Sequence, residues 1–97
     1  MVNVIARSRL KSGCMEEYLR ILKANVPTVL AEEGCLRYEP CLDLEADPAR
    51  GEYVTILESW ESPAHLQAHL ATKHMAAFRE AVAPLREENS VLVVTPA

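Results

Sequence analysis

Glycine is scarce in this chain, and the three present, Gly13, Gly34 and Gly51, stand too far apart for a dinucleotide or phosphate-binding loop. Cysteine is equally unhelpful as a framework. Cys14, Cys35 and Cys41 form an odd set without CxxC spacing, which excludes both a disulfide scaffold and a zinc knuckle and reads as reduced thiols. No apolar run approaches the roughly 20 residues that span a bilayer. The start, VNVIARSRL, alternates where a signal peptide would be continuously apolar, so a cytoplasmic protein without a membrane segment is expected. Positive charge is thin too: ten Lys and Arg residues scatter from Arg7 to Arg86 against a net charge of −4, which excludes a phosphate-tracking groove and sets nucleic acid aside. What remains is 97 residues, 49% of them hydrophobic, enough for one compact domain over residues 1–97.

Periodicity divides that length into elements. Residues 2–10 alternate, with Val2, Val4, Ala6 and Leu10 on one face and Asn3, Ile5, Arg7 and Arg9 on the other, the period of a strand. Glu16 and Glu17 then favour the first turn of a helix. Its apolar stripe is Met15, Tyr18, Leu19, Leu22, Val26, Val29 and Leu30, and it is expected to run to about Glu32 with a kink or loosened turn at Pro27. Gly34 suits a left-handed cap.

A second strand is predicted from Cys35 to Leu42, with Leu36, Tyr38 and Leu42 on one face, and Pro40 marks it as an edge strand or a bulge. The acidic segment Asp43 to Gly51 reads as a hairpin loop. From Glu52 to Trp60, Val54, Ile56, Glu58 and Trp60 share one face of a third strand. Ser62-Pro63 opens a helix in which Leu66 and Leu70 share a stripe, and Thr72 re-caps a second segment carrying Met75, Phe78, Val82 and Leu85. Pro84 limits that segment. Val91 to Val94 suits a strand covered on both faces.

The order strand, helix, strand, strand, helix, strand predicts an α+β, ferredoxin-like βαββαβ fold with an antiparallel sheet and both helices on one face. Strands one, three and four carry apolar residues on both faces, so the uncovered face would be left as a large patch. A homodimer with the two sheets facing one another is expected.

Chemistry concentrates between Tyr53 and Phe78, which hold the only Trp, the only Phe and all three histidines. His69 and His74 are candidate general bases, since imidazole titrates near neutrality. Their alternatives are a hydrogen-bonded packing histidine for His69 and a capping or surface role for His74. Glu58, on an apolar face, must be paired or shifted in pKa. It either orients a histidine, takes a proton itself, or forms a structural pair with Arg7, Arg9 or Arg37. Trp60 reads as a pocket wall for a flat aromatic, with Met75 and Phe78 as apolar neighbours, and Tyr38 and Asn3 are polar groups able to reach a ring hydroxyl. His65 and His69 are spaced for two metal ligands on one helix face, but a third ligand is not evident, so no metal is expected.

Strand one VNVIARSRLKSG, the turn AEEGCLRYE, the strand end LESW, the helix start SPAHLQAH and the following KHMAAF together resemble the antibiotic biosynthesis monooxygenase family. The resemblance implies a dimeric α+β barrel. It also implies a cofactor-independent monooxygenase that oxidises a small phenol or hydroquinone to a quinone with molecular oxygen, without metal, flavin or haem. Haem-degrading relatives of this fold use an Asn on strand one, a Trp ending strand three and a His on the last helix. Here those positions carry Ser8, Trp60 and Phe78, so no imidazole is offered to iron. Two other readings stay open: an isomerase-type enzyme on a small oxygenated metabolite, and a non-catalytic dimeric small-molecule binder.

Overall fold

The computed structural model describes residues 1–97. Four strands, β1 (Val2–Leu10), β2 (Cys35–Leu42), β3 (Glu52–Trp60) and β4 (Arg86–Val94), pair antiparallel in the order β2-β3-β1-β4. The helices are α1 (Met15–Leu30), α2 (Pro63–Leu70) and α3 (Lys73–Val82). This is the ferredoxin-like α+β arrangement, with its second helix split in two.

Alternation puts the core on one sheet face. Val2, Val4, Ser8 and Leu10 of β1 are buried there beside Val54, Ile56, Glu58 and Trp60 of β3. The helices supply Tyr18, Leu22, Val29, Leu66, Met75, Phe78 and Val82 to the same cluster. The opposite face is open and partly polar. On it Arg7 reaches Asp43 at 2.8 Å and lies 4.2 Å over the Tyr53 ring, and the Ser59 hydroxyl donates to Asn3 at 2.7 Å.

Several local expectations are corrected. Helix α1 ends at Leu30, where the Ala31 N–H closes the last turn on the Pro27 carbonyl and the Glu32 N–H bonds the Val29 carbonyl, leaving Glu32 in the turn that follows. The helix is continuous through Pro27, which lies exposed on its outer side. As Pro40 signals, β2 is an edge strand; Pro40 itself pairs in register with Ile56, and the register shifts between Cys35 and Arg37, at Leu36. Leu36 is therefore turned outward and exposed, while Tyr38 stays buried. Leu42 is in register with buried Val54 but is exposed where β2 forms the sheet's edge.

Leu70 is also exposed. In the short α2 the buried pair is Leu66 and His69, three residues apart. Strand β4 begins at Arg86, and its Val91, Leu92, Val93 and Val94 are exposed within the single chain.

Gly34 needs its glycine twice over. Its φ of +80° lies in the left-handed region, and a Cβ there would overlap the His65 ring. The backbone thus brings the turn after α1 against the start of α2, and the Glu61 N–H donates to the Gly34 carbonyl at 2.9 Å.

The fully buried Leu22 sets a test of the core. Leu22→Ala is expected to lower stability by about 2–5 kcal/mol, through lost transfer energy and a residual cavity. Leu44→Ala, at a side chain 99% exposed, should stay within about 0.5 kcal/mol. Urea unfolding followed by circular dichroism measures both.

Candidate active site

Two caps build the site from the second helical stretch. Ser62 caps α2, its hydroxyl oxygen accepting from the His65 N–H at 3.2 Å. Thr72 caps α3 by accepting from the Met75 N–H at 3.3 Å, and donates its own hydroxyl hydrogen to the His69 carbonyl at 2.8 Å. One threonine therefore fixes the end of α2 to the start of α3. His69 and His74 lie on either side of that joint, and the turn after α1 brings Glu32 between them.

Glu32 is the centre of the arrangement. Its Oε2 lies 2.8 Å from His69 Nδ1 and 2.8 Å from His74 Nε2. A carboxylate oxygen only accepts, so both rings point an N–H at it. His69 then carries its proton on Nδ1 and His74 on Nε2, which leaves His69 Nε2 and His74 Nδ1 as the basic nitrogens. The two rings differ in access: 29% of the His74 side chain is exposed, against 1% for His69.

Below His69 the site is apolar. Its ring lies 4.5 Å from Trp60, tilted by 33°, and meets Tyr38 edge-on at 5.8 Å. Trp60 Nε1 donates to Glu58 Oε1 at 3.0 Å, and that same oxygen is 3.9 Å from His69 Nε2. Burial raises the Glu58 carboxyl from its usual 4.5 to about 7; the indole N–H pulls it back down and the charge on Glu32 pushes it further up. Burial also lowers the His69 imidazole, against the opposing pull of Glu32. The Tyr38 phenol is pushed well above its ordinary value by burial and by Glu58, so it stays neutral.

Above His74 the surface opens. A groove of about 320 Å³ runs between α1 and α3, lined by Ile21, Ala24, Asn25, His74, Ala77 and Phe78 among others. It is mostly apolar and has one imidazole on its wall.

Set against the sequence-based expectations, the structure gathers His69, His74, Glu58, Trp60 and Tyr38 into one cluster and leaves Asn3 on the opposite sheet face, bonded to Ser59. Trp60 is fully buried with the His69 ring at its face, so no free stacking surface is left there. Met75 and Phe78 are buried in the core, the Met75 sulfur accepting from Asn25 at 3.6 Å and Phe78 meeting Tyr18 edge-on at 6.4 Å, and Phe78 also borders the groove. Ser8 is occupied by the Tyr18 hydroxyl, which donates to it at 3.3 Å. The basic partners considered for Glu58 are engaged elsewhere: Arg7 with Asp43, Arg9 with Glu87 and Glu88, Arg37 with Glu39. His65 turns away to the Ser62 hydroxyl at 2.7 Å. The residue sequence reasoning missed is Glu32. One signal was present, since an acidic residue at a helix's C-terminal end opposes the helix dipole and calls for another partner.

The antibiotic biosynthesis monooxygenase family model matches residues 1–81. The chain belongs to the antibiotic biosynthesis monooxygenase family. Membership makes it an enzyme of the oxidoreductase class. Among curated family relatives it is 37% identical to the probable quinol monooxygenase YgiN of Escherichia coli K12, an alignment covering 99% of this chain and 98% of that protein. Among solved structures, Rv0793 of Mycobacterium tuberculosis is 26% identical with a TM-score of 0.86, covering 99% of this chain and 94% of that one. An antibiotic biosynthesis monooxygenase from Nitrosomonas europaea, 20% identical, has a TM-score of 0.89 over 99% of this chain and 98% of its own, a likeness of fold.

Glu58 yields a pH test. A carboxyl raised from 4.5 to about 7 on folding stabilises the fold fully below the lower value, and that contribution is lost as pH rises through the upper one. Glu58→Gln removes the buried charge while keeping an acceptor for Trp60. Relative to wild type, it should therefore be more stable at pH 8 than at pH 5 by about 1–3 kcal/mol, measured by urea unfolding at both pH values.

Proposed function

We propose that this chain is a cofactor-independent monooxygenase that converts a small phenol or hydroquinone to a quinone with molecular oxygen, using His74 as its base. The observation that carries the reading is the Glu32 carboxylate holding two imidazoles, only one of which opens onto a groove. Glu32 fixes His74 with its proton on Nε2 and its basic nitrogen at Nδ1, the arrangement by which a carboxylate turns a histidine into an oriented base. His69, clamped by Trp60 and Thr72, holds Glu32 in place. Glu58 closes the cluster from below.

In this scheme the aromatic ring lies in the groove against Phe78, and His74 Nδ1 takes the hydroxyl proton. The phenolate passes one electron to oxygen, and the phenoxyl radical and superoxide combine at a ring carbon to give a peroxide. Loss of that carbon's proton then breaks the O–O bond. One oxygen atom stays as the new carbonyl, and the other leaves as water with the proton returned by His74. The apolar groove favours the weakly solvated radical pair and limits water.

The match to a protein named as a quinol monooxygenase supports the substrate class. A homodimer fits the same reading, because Ile5 pairs with Leu57 and Leu92 on the open sheet face, where Leu92 is 57% exposed. The three free thiols and net charge of −4 fit a cytoplasmic enzyme working on small molecules rather than nucleic acid.

Oxygen uptake with a panel of phenols and hydroquinones is the decisive assay. His74→Ala should lower kcat/KM by about 100- to 10,000-fold with the fold retained. An undiminished rate in that variant would remove His74 from the role of base. Substrate turnover without oxygen consumption would instead favour the isomerase reading, and binding without turnover the non-catalytic one. In sedimentation velocity the wild type should run as a dimer, and Leu92→Glu should shift it toward monomer.

A further inference from the structure

We propose that Glu32, His69 and His74 also form a binding site for one divalent transition-metal ion, of the zinc, cobalt or copper class, and that occupancy switches the base off. The inhibitory half rests on the reading of His74 as base; the binding site does not. Sequence spacing pointed to His65 with His69 and offered no third ligand. The fold excludes His65 and brings in Glu32 and His74 instead.

The donor set and its spacing carry the argument. His69 Nδ1, His74 Nε2 and Glu32 Oε2 all lie within 4.8 Å of one another, two imidazole nitrogens and one carboxylate oxygen. Metal–ligand bonds of about 2.0–2.1 Å place ligand atoms roughly 3.3 Å apart in a tetrahedral site. Small side-chain adjustments therefore convert the hydrogen-bonded trio into a coordinated one. Two imidazoles with a single carboxylate favour borderline transition metals over calcium or magnesium, which prefer oxygen ligands.

The surroundings match what a metal-bound histidine requires. A ligating imidazole generally donates its other N–H to a carboxylate, which fixes the ring and raises its basicity. Glu58 Oε1 stands 3.9 Å from His69 Nε2, so that a small shift of the ring would make this bond, and is itself held by Trp60 at 3.0 Å. Thr72 anchors the His69 backbone. Access for the ion and space for a water ligand come from the His74 side, where the ring is partly exposed and borders the groove.

The consequence for the base follows from proton positions. A metal at His69 Nδ1 and His74 Nε2 takes the nitrogens that now carry protons. Each neutral ring then keeps its proton on the opposite nitrogen, by exchange through solvent, and no net proton is released. His74 Nδ1 becomes an N–H donor and can no longer accept the substrate's proton. The metal-free protein is the competent form.

The test uses the full chain after treatment with EDTA and dialysis. Titration with zinc, followed by calorimetry, should show one ion per chain with a Kd below about 10 µM. Cobalt should give tetrahedral d–d bands without the near-ultraviolet charge-transfer absorption of a thiolate ligand. Glu32→Gln and His74→Ala, each checked for native circular dichroism, should weaken zinc binding at least tenfold, while His65→Ala leaves it unchanged. Zinc should abolish oxygen uptake by the wild type, reversibly with EDTA. The site is overturned by absence of saturable zinc binding, by affinity unchanged in both Glu32→Gln and His74→Ala, or by a cobalt–thiolate band. Zinc raising the rate overturns the inhibitory role. A wild type without oxygen uptake defeats the monooxygenase reading alone, since the binding measurements still decide the site.

Discussion

One oxygen atom organises this protein. Glu32 Oε2 receives an imidazole N–H from α2 and another from α3, while its own residue sits in the turn leaving α1. Three helical ends are therefore tied at a single acceptor, above the sheet and beside Trp60. The bond between charged and polar partners is stronger than a neutral one, and in this half-buried setting it is weakly screened by solvent. Its geometric effect is to fix the tautomer of both rings. Had the turn after α1 been a residue longer or shorter, the carboxylate would miss one ring or both. Gly34 is what keeps that turn tight against α2.

Much of the fold was legible in the sequence, and the reason lies in its periodicities. Strand β3 matched from Glu52 to Trp60 because every second residue faces the core, and β1 matched for the same cause. The caps at Ser62 and Thr72 were legible as well, because a hydroxyl before a helix has a local task that tertiary context seldom overrides. What failed was non-local. The exposure of Leu36 follows from a register shift against β3, and that of Leu70 from His69 taking the buried position of its helix. Neither is written in the residues themselves.

The site divides along the same line. His69, His74, Glu58 and Trp60 fell within one legible stretch, but the carboxylate joining the two histidines comes from 37 and 42 residues earlier. Sequence reasoning offered Glu58, the carboxylate nearest in the chain, as one that could orient a histidine. In the fold both imidazoles bond Glu32. Asn3 shows the converse error: strand alternation had already set it opposite Trp60's face, and its suitability as a hydrogen-bonding side chain was no reason to bring it back.

Thr72 has a wider meaning than its role as a cap. By accepting from Met75 and donating to His69, it makes the joint between α2 and α3 a mechanical pivot with an imidazole on each arm. The spacing of the two rings is thus fixed by one loop residue and the carboxylate between them.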